Sequence, residues 1–216
     1  MSFPSDAVST ELEAVNQILS SVGQAPVTTL NMVNPEVSIV LSTLREVNRQ
    51  VQQEGWAFNT EAKVLTQRQA DGALANKILY PTNATSVDAN KMQHFYKYDI
   101  VRRTETIDNV DYQVLYDRVS HSSVFNEDLH LDILYHFDFK EVPPPVQALI
   151  TAKAARMVAI KLVGDPQINQ LLAEQEALAR ATANEYECNQ GDYSIFGYTD
   201  QQTYYNSYQP FDALKR

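Results

Sequence analysis

The chain has 216 residues, of which 44% are hydrophobic and 20% charged, a composition that is ordinary for a globular protein with a hydrophobic core. It contains no apolar run of about 18 residues, so no membrane span is predicted. Its net charge of −10 argues against a DNA-binding domain, although DNA could pass such a surface without being gripped. The N-terminus lacks the pattern of a signal peptide, and the single cysteine, Cys188, excludes an intrachain disulfide, which fits a reducing cytoplasm.

Two amphipathic helices are predicted in the first quarter of the chain. Thr10 and Glu13 have the spacing of a capping box, and Gly23 is placed to end the first helix. Asn34 and Pro35 favour an N-cap followed by the first residue of the second helix. The apolar stripe of the second helix is predicted to be Val37, Val40, Leu41, Leu44, Val47 and Val51, and its polar face Arg45, Glu46, Asn48, Arg49, Gln52 and Gln53.

Residues 56 to about 140 are predicted to form an antiparallel β domain. Gly55 ends the second helix, and Trp56 and Phe58 then alternate with small or polar residues, so these two aromatic residues are assigned to the junction between helices and strands. The clearest strand lies near 129–137, where apolar residues alternate with polar ones. The candidate strands are 56–66, 76–80, 84–89, 94–101, 112–117 and 129–137.

Two further helices follow the stiff segment Pro143–Pro145. The third helix is predicted from about 145 to 163, and Gly164 breaks it. Asp165 and Pro166 then repeat the signals of an N-cap and a first helical residue. The fourth helix is predicted to run to about Cys188, with an apolar side made of Ile168, Leu171, Leu172 and Leu178. Basic residues of the third helix and acidic residues of the fourth could pair within one bundle or between subunits.

The fold class predicted from this order is α+β. A four-helix bundle would be formed by both chain ends, 1–55 and 142–190, with an antiparallel β domain, 56–141, inserted between its second and third helices. An extended C-terminal arm, 191–216, would follow.

The C-terminal arm is rich in tyrosine and nearly free of aliphatic residues, so it cannot build a core of its own. Tyrosine provides contact area and a polar tip, which favours docking on a partner. A flexible terminus, or one folded back on its own domain, is the alternative. The candidate docking residues are Tyr193, Phe196, Tyr198, Tyr204, Tyr205, Tyr208 and Phe211.

The sequence contains little that indicates catalysis: it has no glycine-rich phosphate loop, nucleophile elbow or paired Cys-x-x-Cys motif. His130 and His136 share a strand face but would lie about 20 Å apart, too far for one metal ion. Arg102 and Arg103 could contact phosphates, although surface salt bridges are favoured. No catalytic residue, cofactor or metal is therefore predicted. The acidic cluster that is predicted to lie in solvated loops is Glu105, Asp108, Asp111 and Asp117.

Three stretches of the chain together point to one known family. The first is Glu11-Leu-Glu-Ala-Val-Asn-Gln-Ile-Leu-Ser-Ser-Val-Gly-Gln-Ala-Pro-Val27, and the second is the helix that runs into Gly55-Trp-Ala-Phe-Asn59. The third extends from Pro143 to Gly164-Asp-Pro166. In their order and spacing, these stretches resemble the tail tubular protein A family of short-tailed bacteriophages. The resemblance covers about residues 8 to 190, while the β loops and the arm match loosely.

The resemblance implies a non-catalytic adaptor of the virion tail. Members of this family form a ring of twelve subunits that joins the portal protein to the tail nozzle protein (tail tubular protein B), with tail fibres attached around the junction. DNA would pass through the channel without specific binding, and the protein would reside in the host cytoplasm during assembly. The arm would dock on the portal or on a neighbouring subunit. One alternative is a tail-associated glycan hydrolase that uses carboxylates of the β domain, although no convincing acid/base pair is present; another is a cytosolic scaffold unrelated to phage.

Overall fold

The computed structural model describes residues 10–30, 34–94 and 97–191. The chain divides into two compact units, one from its two ends, up to Thr43 and from Pro143 onward, and one from Leu44–Val142. The fold is α+β with antiparallel sheets. The described helices are α1 (Glu11–Ser21), α2 (Pro35–Gln52), α3 (Lys91–His94), α4 (Pro144–Leu162) and α5 (Pro166–Gly191), and the strands are β1 (Thr60–Thr66), β2 (Ala84–Ala89), β3 (Ile100–Ile107), β4 (Val110–Asp117) and β5 (Leu129–Tyr135).

The predicted ends of α1 are confirmed by local hydrogen bonds. The Thr10 hydroxyl accepts from the Glu13 N–H at 3.2 Å, and the Glu13 carboxylate accepts from the Thr10 N–H at 2.8 Å. At the other end, Gly23 has a φ of +78° and donates to the Ser20 carbonyl, while the Gln24 N–H donates to the Leu19 carbonyl. These two bonds form a Schellman motif, which satisfies carbonyls that the helix itself leaves unpaired.

Helix α2 begins where the sequence predicts, since the Asn34 side chain accepts from the Glu36 N–H at 3.0 Å. All six residues of its predicted apolar stripe are buried. The prediction for the polar face is wrong at two positions, because Asn48 and Gln52 are only 6% and 1% exposed. The division between the two units falls within this helix, between Thr43 and Leu44.

Helix α4 contacts both α1 and α5. Its alanines allow close approach, and nine of its 19 residues are buried. The guanidinium of Arg156 donates to Asn169 and to the Glu176 carboxylate, both at 3.0 Å. At this position the opposite charges of α4 and α5 therefore pair within one chain.

The predicted apolar side of α5 is wrong for two of its four residues. Leu172 is buried, but Leu171 and Leu178 are 62% and 71% exposed. The inward face of this helix is instead built around Leu172 and the fully buried Ala183. Residues 11 apart lie three turns apart on one helix face, so this register places the two exposed leucines outside.

The unit Leu44–Val142 contains a three-stranded antiparallel sheet in the order β1–β5–β2 and a two-stranded sheet formed by β3 and β4. The alternation predicted for β5 is confirmed, because Leu129, Leu131 and Ile133 are buried. A β-bulge in β1 places Lys63 at a φ of +59°, and its N–H donates to the Asp132 carboxylate at 3.0 Å. The core of this unit is Ile78, Val87, Ala89, Ile100, Leu115, Phe125, Leu129, Leu131 and Ile133.

Strands β3 and β4 form a hairpin with a two-residue turn, Asp108 and Asn109, both at positive φ. Positive φ at both positions is typical of a type I′ turn, which matches the twist of the strands. The candidate strand 94–101 is therefore misplaced, since β3 runs from 100 to 107. Much of β3 is exposed and carries charged side chains, so residues 102–107 resemble a loop in the sequence.

Two other candidate strands are shorter than predicted. Residues 56–59 form a turn, and β1 begins only at Thr60. Within 76–80, Lys77 and Leu79 form isolated bridges, to Val124 and Val114 respectively. Both segments still lie beside strands, which explains their strand-like sequences.

Candidate functional site

The junction between α2 and the first strand is a buried polar network built around Trp56. The indole ring is 4% exposed, and its Nε1–H donates to the Val51 carbonyl at 2.7 Å. Val51 belongs to the last turn of α2, whose carbonyls have no partner within the helix. Gly55, at a φ of +80°, turns the chain so that Trp56 folds back on this turn. The indole therefore caps the helix and anchors the chain that leaves it.

Asn59 completes the turn that follows Trp56. Its side chain is fully buried, and its Oδ1 accepts from the Trp56 N–H at 2.8 Å. Its amide nitrogen donates to two carbonyls, that of Gln52 at 2.9 Å and that of Tyr135 at 3.0 Å. One side chain thus links the end of α2, the turn and the end of β5. An asparagine amide suits this position because it offers an acceptor and two donors.

Gln52 makes the second link between α2 and the chain after β5. Its Oε1 accepts from the Phe137 N–H at 2.8 Å, and its Nε2 donates to the Phe137 carbonyl at 2.8 Å and to Asn48 Oδ1 at 2.8 Å. The glutamine amide therefore pairs with both main-chain groups of Phe137, as a neighbouring strand would. Asn48 adds a longer bond of 3.4 Å to the same carbonyl.

Three aromatic rings pack together at residues that belong to this network or adjoin it. Phe137 lies between Phe58 and Tyr135, with ring centroids 6.3 and 6.2 Å away. Both distances are in the range of favourable aromatic pairs. Burial raises the pKa of the Tyr135 hydroxyl, and the nearby Glu61 carboxylate raises it further. The amide side chains of Gln52 and Asn59 are buried away from water, which strengthens their hydrogen bonds.

The junction network contains only amide, indole and main-chain groups, which do not titrate between pH 2 and pH 12 and do not transfer protons in catalysis. No buried side-chain nitrogen or oxygen among the described residues is without a hydrogen-bond partner. The arrangement fixes the path of the main chain. The sequence predicted the position of Trp56 and Phe58 at this junction but missed Asn48, Gln52 and Asn59.

The acidic residues that the sequence grouped in the β region do not form one site. Glu105 pairs with Lys77, and Asp111 accepts from the Thr106 hydroxyl at 2.6 Å. Asp117 is not in a solvated loop, as predicted, but 1% exposed. Its Oδ1 accepts from the N–H groups of residues 99 and 119, and its Oδ2 from the N–H and hydroxyl of residue 120.

Burial tends to raise the pKa of Asp117, but the hydrogen bonds from Ser120, Asp99 and Val119 outweigh it and hold the pKa below its ordinary value. The ionised carboxylate of Asp117 therefore stabilises the folded state at pH values above the pKa that this carboxyl has in the unfolded chain. This stabilisation is lost as the pH falls through the lower pKa that Asp117 has in the folded protein.

Replacing Asp117 with asparagine should reduce the free energy of unfolding at pH 7 by about 2 kcal/mol, because one acceptor oxygen becomes a donor facing other donors. The deficit should shrink below about pH 4, where the unfolded wild-type chain takes up a proton that the folded chain resists. Urea denaturation of both proteins at pH 7 and pH 3.5 measures this. A stability deficit of Asp117→Asn that stays constant or grows toward acid pH would contradict this role of the carboxylate. The control is Asp108→Asn, at the exposed hairpin turn.

The arginines of β3 do not form the predicted salt bridges. Asp99 pairs with Arg118 at 2.7 Å, and Glu105 pairs with Lys77. The guanidinium of Arg103 instead lies over the Tyr116 ring, 3.6 Å from its centroid, and that of Arg102 lies 5.4 Å from the centroid of the Tyr80 ring. These are cation–π contacts, which hold the arginines against the surface of the unit Leu44–Val142.

One histidine of this unit, His94, binds the main chain of β5. His94, 8% exposed, accepts from the His130 N–H at 2.9 Å through its Nε2. Burial lowers the pKa of His94, against the opposing effect of Glu127. Glu127 itself accepts from Lys97 and from the Tyr98 hydroxyl, both at 2.6 Å. Across residues 10–30, 34–94 and 97–191, no three His, Cys, Asp or Glu side chains are grouped as metal ligands.

The seven predicted docking residues of the arm, from Tyr193 to Phe211, lie outside the described residues. The described helices include none that is both long enough and apolar enough to cross a membrane.

The fold and its junction define a two-unit α+β protein in which buried amides and carboxylates are used to hold the main chain in place. The chain belongs to the tail tubular protein family, since the family model described as "Tail tubular protein" matches residues 12–193. A search of curated proteins gave no match. The family is one of structural proteins of phage tails, and the chain is accordingly a structural component of the tail of a virion.

Proposed function

We propose that the protein is the adaptor of the phage tail: a ring of twelve subunits that joins the portal protein to the nozzle protein, tail tubular protein B, and forms part of the DNA channel. The observation that carries this proposal is the family match over residues 12–193. The role is structural and non-catalytic, tail fibres attach around the ring, and the subunit is held in the host cytoplasm until assembly.

The charge of the chain supports a channel role. Each subunit carries a formal net charge of −10, so a ring of such subunits is strongly acidic. An acidic lumen repels the phosphate backbone and lets DNA slide without being held. A protein that grips DNA would instead present a basic surface.

The two ends of the chain and its middle have separate parts in this proposal. The helical residues, 1–55 and 142–190, pack as a four-helix bundle and form the wall of the ring. The β domain, 56–141, reaches the nozzle protein. The arm, 191–216, docks its aromatic residues on the portal or on a neighbouring subunit. The rigid network around Trp56 and Asn59 supports this division, since an adaptor under load needs a fixed path from helix to strand.

Purified protein mixed with its portal ring should bind at twelve copies per portal, as measured by the mass of the particles in solution. Deleting residues 191–216 should weaken binding at least tenfold while the circular dichroism and melting temperature stay near those of the full chain, because the arm adds contact area and no core. A full-length variant with serine at the seven aromatic positions keeps the length of the arm and should lose the same affinity.

Binding that survives both changes would contradict the docking role of the arm. A full-length protein that ignores the portal would reject the adaptor role itself. Release of reducing sugar from host polysaccharide by the purified protein would contradict the non-catalytic assignment and favour a hydrolase.

A further inference from the structure

The short helix α3 is attached to the middle strand of the three-stranded sheet through one histidine. His94, the last residue of α3, accepts from the His130 N–H of β5 at 2.9 Å through its Nε2. The His130 carbonyl in turn accepts from the Asn90 N–H at 2.9 Å. Both main-chain groups of His130 are therefore bonded to the chain that runs from β2 into α3. The His94 side chain is 8% exposed, so water has little access to its bond.

The donor in this bond determines the protonation state of His94. A main-chain N–H can donate but cannot accept, so the Nε2 that faces it must carry a lone pair. The ring is therefore a neutral imidazole with its single proton on Nδ1. If His94 took up a second proton, two N–H groups would face each other, and a positive charge would lie on a buried side chain. Protonation of His94 and its hydrogen bond to β5 exclude each other.

The groups around the His94 ring oppose a positive charge more than they favour it. The rings of Tyr98 and His130 have their centroids 5.4 and 5.8 Å from that of His94. The charged side chains that act on the ring are Lys97 and Glu127, which pair with each other at 2.6 Å. Burial lowers the pKa of His94, the Glu127 carboxylate opposes this effect, and His130 and Lys97 add to it. The folded protein therefore binds a proton at His94 less readily than the unfolded chain does.

The packing beyond α3 depends on the same contact. The Tyr98 ring packs edge-on against the His94 ring and against the Phe125 ring, whose centroid is 6.0 Å away. Phe125 is 2% exposed and belongs to the core of the unit. Loss of the bond between His94 and His130 would therefore release α3 first and then loosen the packing of Tyr98 on this core.

We propose that the contact between α3 and β5 is a pH-sensitive switch, which is closed while His94 is neutral and opens when His94 takes up a proton. The neutral ring stabilises the closed form above about pH 6.5, the ordinary pKa of histidine. This stabilisation is lost as the pH falls from there toward the lower pKa that His94 has in the closed form. The switch lies within the unit Leu44–Val142 and requires neither a second copy of the chain nor a portal.

Hydrogen–deuterium exchange of the full-length protein at pH 7.5 and pH 5, followed by mass spectrometry of peptides from β5, measures the opening. Protection is expressed relative to an unstructured peptide at the same pH, which removes the intrinsic effect of pH on exchange. Protection of the His130 amide should fall by about tenfold to thirtyfold, because an open form with an ordinary histidine pKa gains up to about 30-fold in population at pH 5. Protection of β4, in the same unit, should stay near its value at pH 7.5.

Three histidine variants identify the group that titrates. His94→Gln keeps a side-chain acceptor that does not titrate, so the fall in protection at pH 5 should disappear. His130→Gln removes the neighbouring imidazole but keeps the main-chain donor and His94, so the fall should remain. The matched control is His121→Asn, at an exposed position with a φ of +53° that asparagine tolerates, and it should behave like the wild type.

Equal protection of β5 at both pH values in the wild type would overturn the switch, and so would an equal fall in β4, which would mean unfolding of the whole unit. A fall that persists in His94→Gln, or that disappears in His130→Gln, would assign the titration to another group and overturn the role of His94. If His94→Gln loses protection at both pH values, a fall that remains in His130→Gln supports the switch and its absence overturns it. None of these outcomes bears on the adaptor function, which is tested by binding to the portal.

Discussion

The Trp56→Ala variant should lose about 3–5 kcal/mol of unfolding free energy, the cost of removing a large aromatic side chain from a packed site. Trp56 is 4% exposed, and its loss also leaves the Val51 carbonyl without the indole donor. Urea denaturation followed by far-ultraviolet circular dichroism gives the measurement. Fluorescence does not serve here, because Trp56 is the only tryptophan of the chain.

Two variants separate the contributions of Trp56. Trp56→Phe keeps most of the apolar contact but removes the Nε1–H donor, so it should cost about 1–2 kcal/mol. Phe58→Leu, at the half-buried aromatic position two residues later, should cost less than Trp56→Ala. If Trp56→Ala unfolded at the wild-type urea concentration, the indole would not hold the end of α2.

Replacing Asn59 with alanine should destabilise the protein by about 3 kcal/mol. The change removes three hydrogen bonds, and the Trp56 N–H and the Tyr135 carbonyl lose their side-chain partner in a buried site, while the Gln52 carbonyl keeps the Gly55 N–H as a donor. Each unsatisfied buried group costs about 1–3 kcal/mol, and partial relaxation reduces the sum. Equilibrium denaturation measures the loss, and hydrogen exchange at the Trp56 amide shows whether the opening is local.

The Asn59→Asp variant tests the donor role of the Asn59 amide more directly than Asn59→Ala does. The aspartate keeps the Oδ1 acceptor but turns an oxygen toward the two carbonyls that Asn59 donates to, so it should be at least as destabilising as alanine at pH 7. The control is Gln53→Ala, at an exposed residue directly after α2, which should change stability by less than about 0.5 kcal/mol. A stable Asn59→Asp protein would show that the side chain is not held as described.

The helix ends could be predicted from the sequence because they depend on local chemistry. The Thr10–Glu13 capping box, the Asn34 cap and the glycine after α1 involve residues within a few positions of each other. The buried face of β5 was also predictable, since alternation along one strand sets which residues face the core. Each of these features is decided within a single element.

The junction network could not be predicted because its bonds join distant segments. Asn48 and Gln52 look like surface residues of an amphipathic helix, and only the approach of Phe137 makes their burial favourable. Asp117 was assigned to a solvated loop for the same reason. Leu171 and Leu178 show the opposite error, because they were assigned to the apolar side of α5 but are exposed. Periodicity indicates that a helix has an apolar face, but it does not indicate whether other residues of the chain cover that face.

The hydrogen bonds between Gln52 and Phe137 join residues that are 85 positions apart. This separation sets the order in which parts of the fold can form during synthesis on the ribosome. The two-residue turn between β3 and β4 allows that hairpin to close within microseconds, as soon as it emerges. Strand β5, which pairs with both β1 and β2, is the last strand to be synthesised, so the three-stranded sheet waits for it. Gln52, at the end of α2, lacks its hydrogen bonds to Phe137 until that residue has been synthesised and has left the ribosome. A nascent chain stalled before that residue therefore exposes Gln52 and Asn59 to water and protease, and one stalled well beyond it protects them.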